Sequence, residues 1–100
     1  MPINNTVSSD GKVVTLHISG RFDFAMHQEF MHAYKAYERG AKEFVVDLGK
    51  AEYMDSSALG MLLQLRDYGA KSGSVELRNS NDSIREILRI ANFDKLFKVS

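Results

Sequence analysis

The chain has 100 residues, 44% of them hydrophobic, and its 13 basic residues balance its 13 acidic ones. That length suits one domain with one core, no apolar run approaches the ~20 residues that cross a bilayer, and "MPINNTVSSD" lacks the basic start and hydrophobic stretch of a signal peptide. The lack of cysteine excludes disulfides, thiolate chemistry and cysteine-bound zinc.

Ile3–Ser8 reads as a short strand and Asp10-Gly11 as a hairpin turn. Val13–Ser19 alternates, with Val14, Leu16 and Ile18 on one face and Val13, Thr15 and His17 on the other. The two segments therefore form an antiparallel hairpin. Gly20 ends the second strand, and "RFDF" crosses to an amphipathic helix over Phe24–Arg39, where Met26, Phe30, Ala33 and Tyr37 recur at helical spacing. Asp23 is its N-cap and Gly40 follows its C-terminus. Glu43–Leu48 suits a buried strand, and "GKAEYM" a loop.

A second helix begins at Ser56, with Asp55 as N-cap and Ala58, Met61, Leu62, Leu65 and Tyr68 on one face. Gly69 and Gly73 bracket its end. Ser74–Arg78 reads as a strand, and Ser83-Ile-Arg-Glu86 as a capping box opening a helix through Ile90. Asn92 takes a left-handed C-cap, and "LFKV" a last short strand or turn. Alternating strands and helices make this an α/β fold: a single domain over residues 1–100 with a mixed sheet, an N-terminal β-hairpin and helices packed on the sheet. The loops Gly20–Phe24 and Gly49–Ser56 would meet at one sheet edge, outside strand C-termini, where ligands and partners usually sit.

Zero net charge argues against a nucleic-acid partner. The densest basic stretch, Arg85 to Lys98, is broken by Glu86 and Asp94 and reads as a solvated helix face. His27 and His32 lie five residues apart, about 140° around a helix, so they cannot face one metal ion. A serine hydrolase at Ser56 is a remote alternative, because "DSSALG" lacks the G-x-S-x-G elbow and no histidine lies in the two loops beside it. Taken alone, Asp55-Ser56-Ser57 reads first as a helix cap and second as a modified or reactive site.

Three stretches together carry a resemblance: "ISGRFDF" at Ile18–Phe24, "VVDL" at Val45–Leu48 and "YMDSSALGMLL" at Tyr53–Leu63. With the ending "ILRIANFDKLFKV", they resemble the STAS-domain anti-sigma factor antagonists, across nearly the whole chain and in the family's order. The resemblance implies a cytoplasmic, non-enzymatic switch, a monomer when free, with no membrane insertion. Ser56 falls on the family's phosphorylated serine, and Ser57 on a secondary hydroxyl. Asp23 falls on the acidic residue facing that site, Asp55 precedes the serine, and Gly20 and Gly60 match glycines the backbone demands. Phe22, Phe24, Ala58 and Met61 complete the expected partner surface. Ala58 departs from the more common glycine and should stiffen the helix start. Implied partners are an anti-sigma factor or serine kinase and a metal-dependent serine phosphatase. ATP and Mg or Mn belong to them, and no cofactor to this chain. The alternative within the fold is a regulatory subunit of a membrane lipid transporter.

Overall fold

The computed structural model describes residues 3–69 and 75–100. Its strands are β1 (Ile3–Val7), β2 (Val13–Phe22), β3 (Glu43–Met54), β4 (Glu76–Arg78) and β5 (Lys98–Val99), and its helices are α1 (His27–Lys35), α2 (Ser56–Tyr68) and α3 (Asp82–Ile90). The sheet order is β1-β2-β3-β4-β5, with β1 antiparallel to β2 and every later pair parallel. This is the expected mixed sheet with an N-terminal hairpin and helical crossovers.

Strand alternation sorts the side chains into two layers. Val14, Leu16 and Ile18 of β2, Phe44, Val46 and Leu48 of β3 and Leu77 of β4 share one buried face, with Val14 opposite Phe44 and Leu16, Val46 and Leu77 in one row across the sheet. Phe30 and Tyr34 of α1, Leu62 and Leu65 of α2, and Ile84 and Leu88 of α3 join them in one core. Aromatic rings fasten α1 to this layer: Phe22 meets Phe30 at 5.2 Å between centroids, and Tyr34 meets Tyr68 at 5.0 Å. Such contacts add about 0.5–1.5 kcal/mol each beyond burial.

The opposite face is polar and hydrogen-bonded across strands. His17 Nδ1 lies 3.3 Å from Asp47 Oδ2, Thr6 Oγ1 lies 3.1 Å from His17 Nε2, and Asn79 donates to Asp47 Oδ1 at 3.2 Å. The Gly49 N–H also donates to Asp47 Oδ1, at 2.9 Å. A Cβ at position 49 would lie 3.1 Å from that oxygen, so only glycine fits without displacement.

Five boundaries differ from the sequence reading. β2 does not end at Gly20: the residue sits in the strand at φ +77, and pairing continues to Phe22. "GKAEYM" is not a loop but the second half of β3, paired with Ser19–Phe22 across two register shifts. The expected helix Phe24–Arg39 is a 3₁₀ turn over Phe24–Met26 followed by α1, which stops at Lys35. Past that point tertiary contacts replace helical bonds, since the Tyr68 hydroxyl donates to the Tyr37 carbonyl and Gly40 N–H to the Tyr68 carbonyl. Of the expected strand Ser74–Arg78, β4 comprises Glu76–Arg78; Ser74, like Gly73, lies outside the described residues. The α3 cap is Asn81 rather than Ser83. Asn81 Oδ1 accepts from Ile84 N–H at 2.8 Å while its Nδ2 donates to the Ala51 carbonyl, so one side chain both caps the helix and ties it to β3. Asn92 does take the left-handed conformation, at φ +60, just past α3.

Candidate functional site

β2 and β3 are both longer than the apolar pattern suggests, and their extra length builds the site. Phe22 and Met54 end the two parallel strands as register partners. Each strand is followed at once by an aspartate that caps the next helical segment. Asp23 Oδ1 accepts from Ala25 N–H at 3.1 Å, and Asp55 Oδ1 from Ala58 N–H at 3.1 Å. Both caps are in extended backbone, as N-caps require. The two carboxylates therefore stand on neighbouring chain segments, which in a sheet run about 4.8 Å apart.

Ser56 is the first residue of α2 and is exposed, whereas Ser57 is half-buried. An oxygen anion on Ser56 would face the free N–H groups and positive dipole end of a 13-residue helix. Phe24 is 67% exposed and stacks on His27 at 5.3 Å, an apolar surface with no core role. Gly60, one turn beyond Ser56 on the same helical side, is exposed, and a Cβ there would meet nothing within 4 Å. Among the described residues no backbone or packing constraint requires that glycine, contrary to the expectation from the family pattern.

Three residues assigned to the partner surface lie elsewhere. Phe22 and Ala58 are wholly buried and Met61 is 3% exposed. They face the core because strand and helix periodicity point them there: Phe22 alternates with exposed Arg21, and Ala58, Met61, Leu62 and Leu65 form the inner side of α2. Their role is to hold the caps in place from beneath. Gly20 contributes backbone geometry, turning the end of β2 at a register shift.

Two residues missed in the sequence complete the surface. Arg21 and Tyr53 are register partners on β2 and β3, and the Arg21 guanidinium lies 4.1 Å from the centroid of the Tyr53 ring. Arg21 Nε also lies 3.5 Å from Asp23 Oδ2. Strand alternation carried past Gly20 would have found both, since each precedes a buried apolar residue.

No histidine hydrogen-bonds Ser56 among the described residues. His17 is engaged by Thr6 and Asp47, His27 lies against Phe24, and His32 is exposed on α1. Among the described residues, no group of three or more histidine or carboxylate side chains is placed to hold a metal ion. No helix among them is long and apolar enough to cross a membrane.

The family profile described as "Mlab, STAS domain" matches residues 5–99. A STAS-domain containing protein of Pseudomonas aeruginosa (strain UCBPP-PA14) is 48% identical over 101 residues, covering all of both chains. The fold is similar to that of a putative anti-sigma factor antagonist from Thermotoga maritima, with a TM-score of 0.82 at 20% identity over 97% of this chain and 84% of that one. It is also similar to the Bacillus cell fate determinant SpoIIAA in its phosphorylated form, with a TM-score of 0.66 at 17% identity over 98% and 90% of the two chains. With a profile that spans nearly every residue and a full-length relative at close to half identity, the chain belongs to the STAS domain family.

Proposed function

We propose that the protein is a non-enzymatic partner switch of the anti-sigma factor antagonist type. With Ser56 unmodified it binds and sequesters an anti-sigma factor or switch kinase. Phosphorylation of Ser56 by such a kinase releases that partner, and a metal-dependent serine phosphatase resets the switch. The observation that carries the reading is the exposed Ser56 hydroxyl at the start of α2, flanked by the Asp23 and Asp55 caps. Similarity to a fold solved in a phosphorylated form supports it.

The physics separates fold from interface. A phosphate at the α2 N-terminus meets helical N–H groups and a favourable dipole, so the domain tolerates it. The same phosphate adds about −1.5 to −2 charge to a surface that already carries two carboxylates. A partner docked there faces like charge, which costs several kcal/mol. At about 1.4 kcal/mol per decade, affinity falls by two decades or more. Exposed Ser56 and Phe24 and half-buried Asp23 and Asp55 make up the contact surface, with Ser57 as a secondary hydroxyl.

Mass spectrometry of the protein isolated from its own cells tests the reading. Phosphate is expected on Ser56 and absent in Ser56→Ala. Wild type should capture an anti-sigma factor or serine kinase that Ser56→Asp does not. Phosphate confined to Ser57, or equal capture of membrane-transporter subunits by both proteins, would overturn it.

A further inference from the structure

We propose that Arg21 is the internal receptor for a phosphate on Ser56, exchanging Asp23 for the phosphoserine oxygens when the switch is thrown. The inference rests on the phosphoserine reading above and adds a second moving charge to it.

In the segments Arg21–Ala25 and Glu52–Ala58, which carry both strand ends and both caps, Arg21 is the only basic residue. Its side chain is 65% exposed. Its one contact with a carboxylate, Nε to Asp23 Oδ2 at 3.5 Å, is at the outer limit of a hydrogen bond. Such an exposed pair is worth little and is readily exchanged. The Nη1 and Nη2 groups make no hydrogen bond among the described residues. The flat face of the guanidinium rests on Tyr53, which leaves its N–H edges open while restricting its motion.

Position favours the exchange. Arg21 pairs in register with Tyr53, and Ser56 follows three residues later. Neighbouring strands lie about 4.8 Å apart and rise about 3.3 Å per residue. Arg21 lies over Tyr53 and reaches toward Asp23 at the end of β2, the same end of the parallel pair at which Asp55 caps α2. Chemistry favours it as well. A phosphoserine offers three acceptor oxygens and nearly twice a carboxylate's charge, and the guanidinium fork matches it two bonds at a time. Once Arg21 turns, Asp23 loses its counter-charge. A partner then meets a phosphate in one place and a bare carboxylate in another.

Phosphoserine placed at position 56 of the full chain by genetic-code expansion tests this without any kinase. Phosphorus NMR follows the second ionisation of the phosphate, near pH 6 in a free phosphoserine. Arg21 should hold that ionisation about half a pH unit below its position in Arg21→Gln, roughly threefold in the ionisation constant. Arg39→Gln, which removes a cation paired with Asp67 near the far end of α2, should leave it where it is in the wild type. The Arg21 Nε–H resonance should shift between unmodified and phosphorylated protein. Coincident titrations of wild type and Arg21→Gln, with an unmoved Nε–H, would overturn the inference. A cell that never modifies Ser56 would overturn the proposed function instead, and leave the phosphorus result to stand as a property of the surface.

Discussion

Asp23 illustrates how one side chain serves two purposes that a single substitution can separate. Its Oδ1 caps the 3₁₀ turn through the Ala25 N–H, and its charge stands beside Arg21 on the segment next to the one that carries Asp55. Asparagine caps about as well as aspartate but carries no charge. Asp23→Asn is therefore expected to keep the melting temperature while changing partner affinity or phosphorylation rate several-fold. Calorimetry beside a binding titration checks both, and an unchanged affinity and rate would leave Asp23 a cap only. Gly60 is the converse case, a residue whose cost inside the fold has no return there. Glycine in an exposed helical position costs about 0.5–1 kcal/mol against alanine, and open space surrounds it. Gly60→Ala is expected to raise the unfolding free energy by that amount in urea, and to weaken the partner if the bare backbone beside Ser56 is where it docks.

At the scale of elements, α2 joins the Ser56 hydroxyl to the rest of the domain. Its inner side, Ala58, Met61, Leu62 and Leu65, is anchored in the core, and its first turn is held by the Asp55 cap. Ser56 lies outside both sets of contacts, so a negative charge there meets no packing that it must break. Ser56→Asp should accordingly unfold within about 1 kcal/mol of the wild type, since a favourable helix-end contribution of ~0.3–1 kcal/mol is offset by repulsion from Asp55. Thermal and denaturant melts decide the point. A loss above about 2 kcal/mol would mean that the charge acts by loosening α2 rather than by spoiling an interface.

Across the whole molecule, the helices cover one face of the sheet and leave the other to a hydrogen-bonded polar network centred on Asp47. Partial burial pushes the Asp47 carboxyl up, but the Gly49 N–H, the Asn79 amide and His17 together outweigh that and hold it below its ordinary value. A carboxyl with a depressed folded-state pKa contributes stability above its unfolded value, near 3.9, and loses it as pH falls through the folded value. The domain should therefore keep a constant Asp47 contribution from neutral pH down to about pH 5, and lose it below about pH 4. Asp47→Asn keeps the acceptor oxygen for Gly49 but removes the titration, so its urea midpoint should fall less steeply in acid. Equal acid sensitivity of the two proteins would show that other carboxylates govern the loss.

Much of this protein is local and therefore legible in the chain itself. Period-two alternation in Val13–Ser19 and the helical recurrence after Ser56 each depend on which face a residue turns to the core, so they survive without knowledge of neighbours. The two aspartate caps and the left-handed Asn92 were legible for the same reason, because a cap is a contact within three residues. The α/β order followed from these, whereas Ser56 as a candidate site came from the resemblance of Tyr53–Leu63 and its companion stretches to a known family. What the tertiary structure decided was length and exposure. "GKAEYM" has no strong strand pattern, and becomes strand because Ser19–Phe22 stands ready to pair with it. α1 stops at Lys35 because Tyr68 and Gly40 form bonds that a longer helix would forgo. Asn81 displaces Ser83 as a cap because it alone also reaches the Ala51 carbonyl. Pairing of the two strand ends placed Arg21 over Tyr53 and brought the Asp23 and Asp55 caps onto neighbouring chain segments, although the residues of each pair lie about thirty positions apart in the chain. It also turned Phe22, Ala58 and Met61 inward, since a residue's distance from a site in sequence says nothing of the side of the backbone on which its side chain lies.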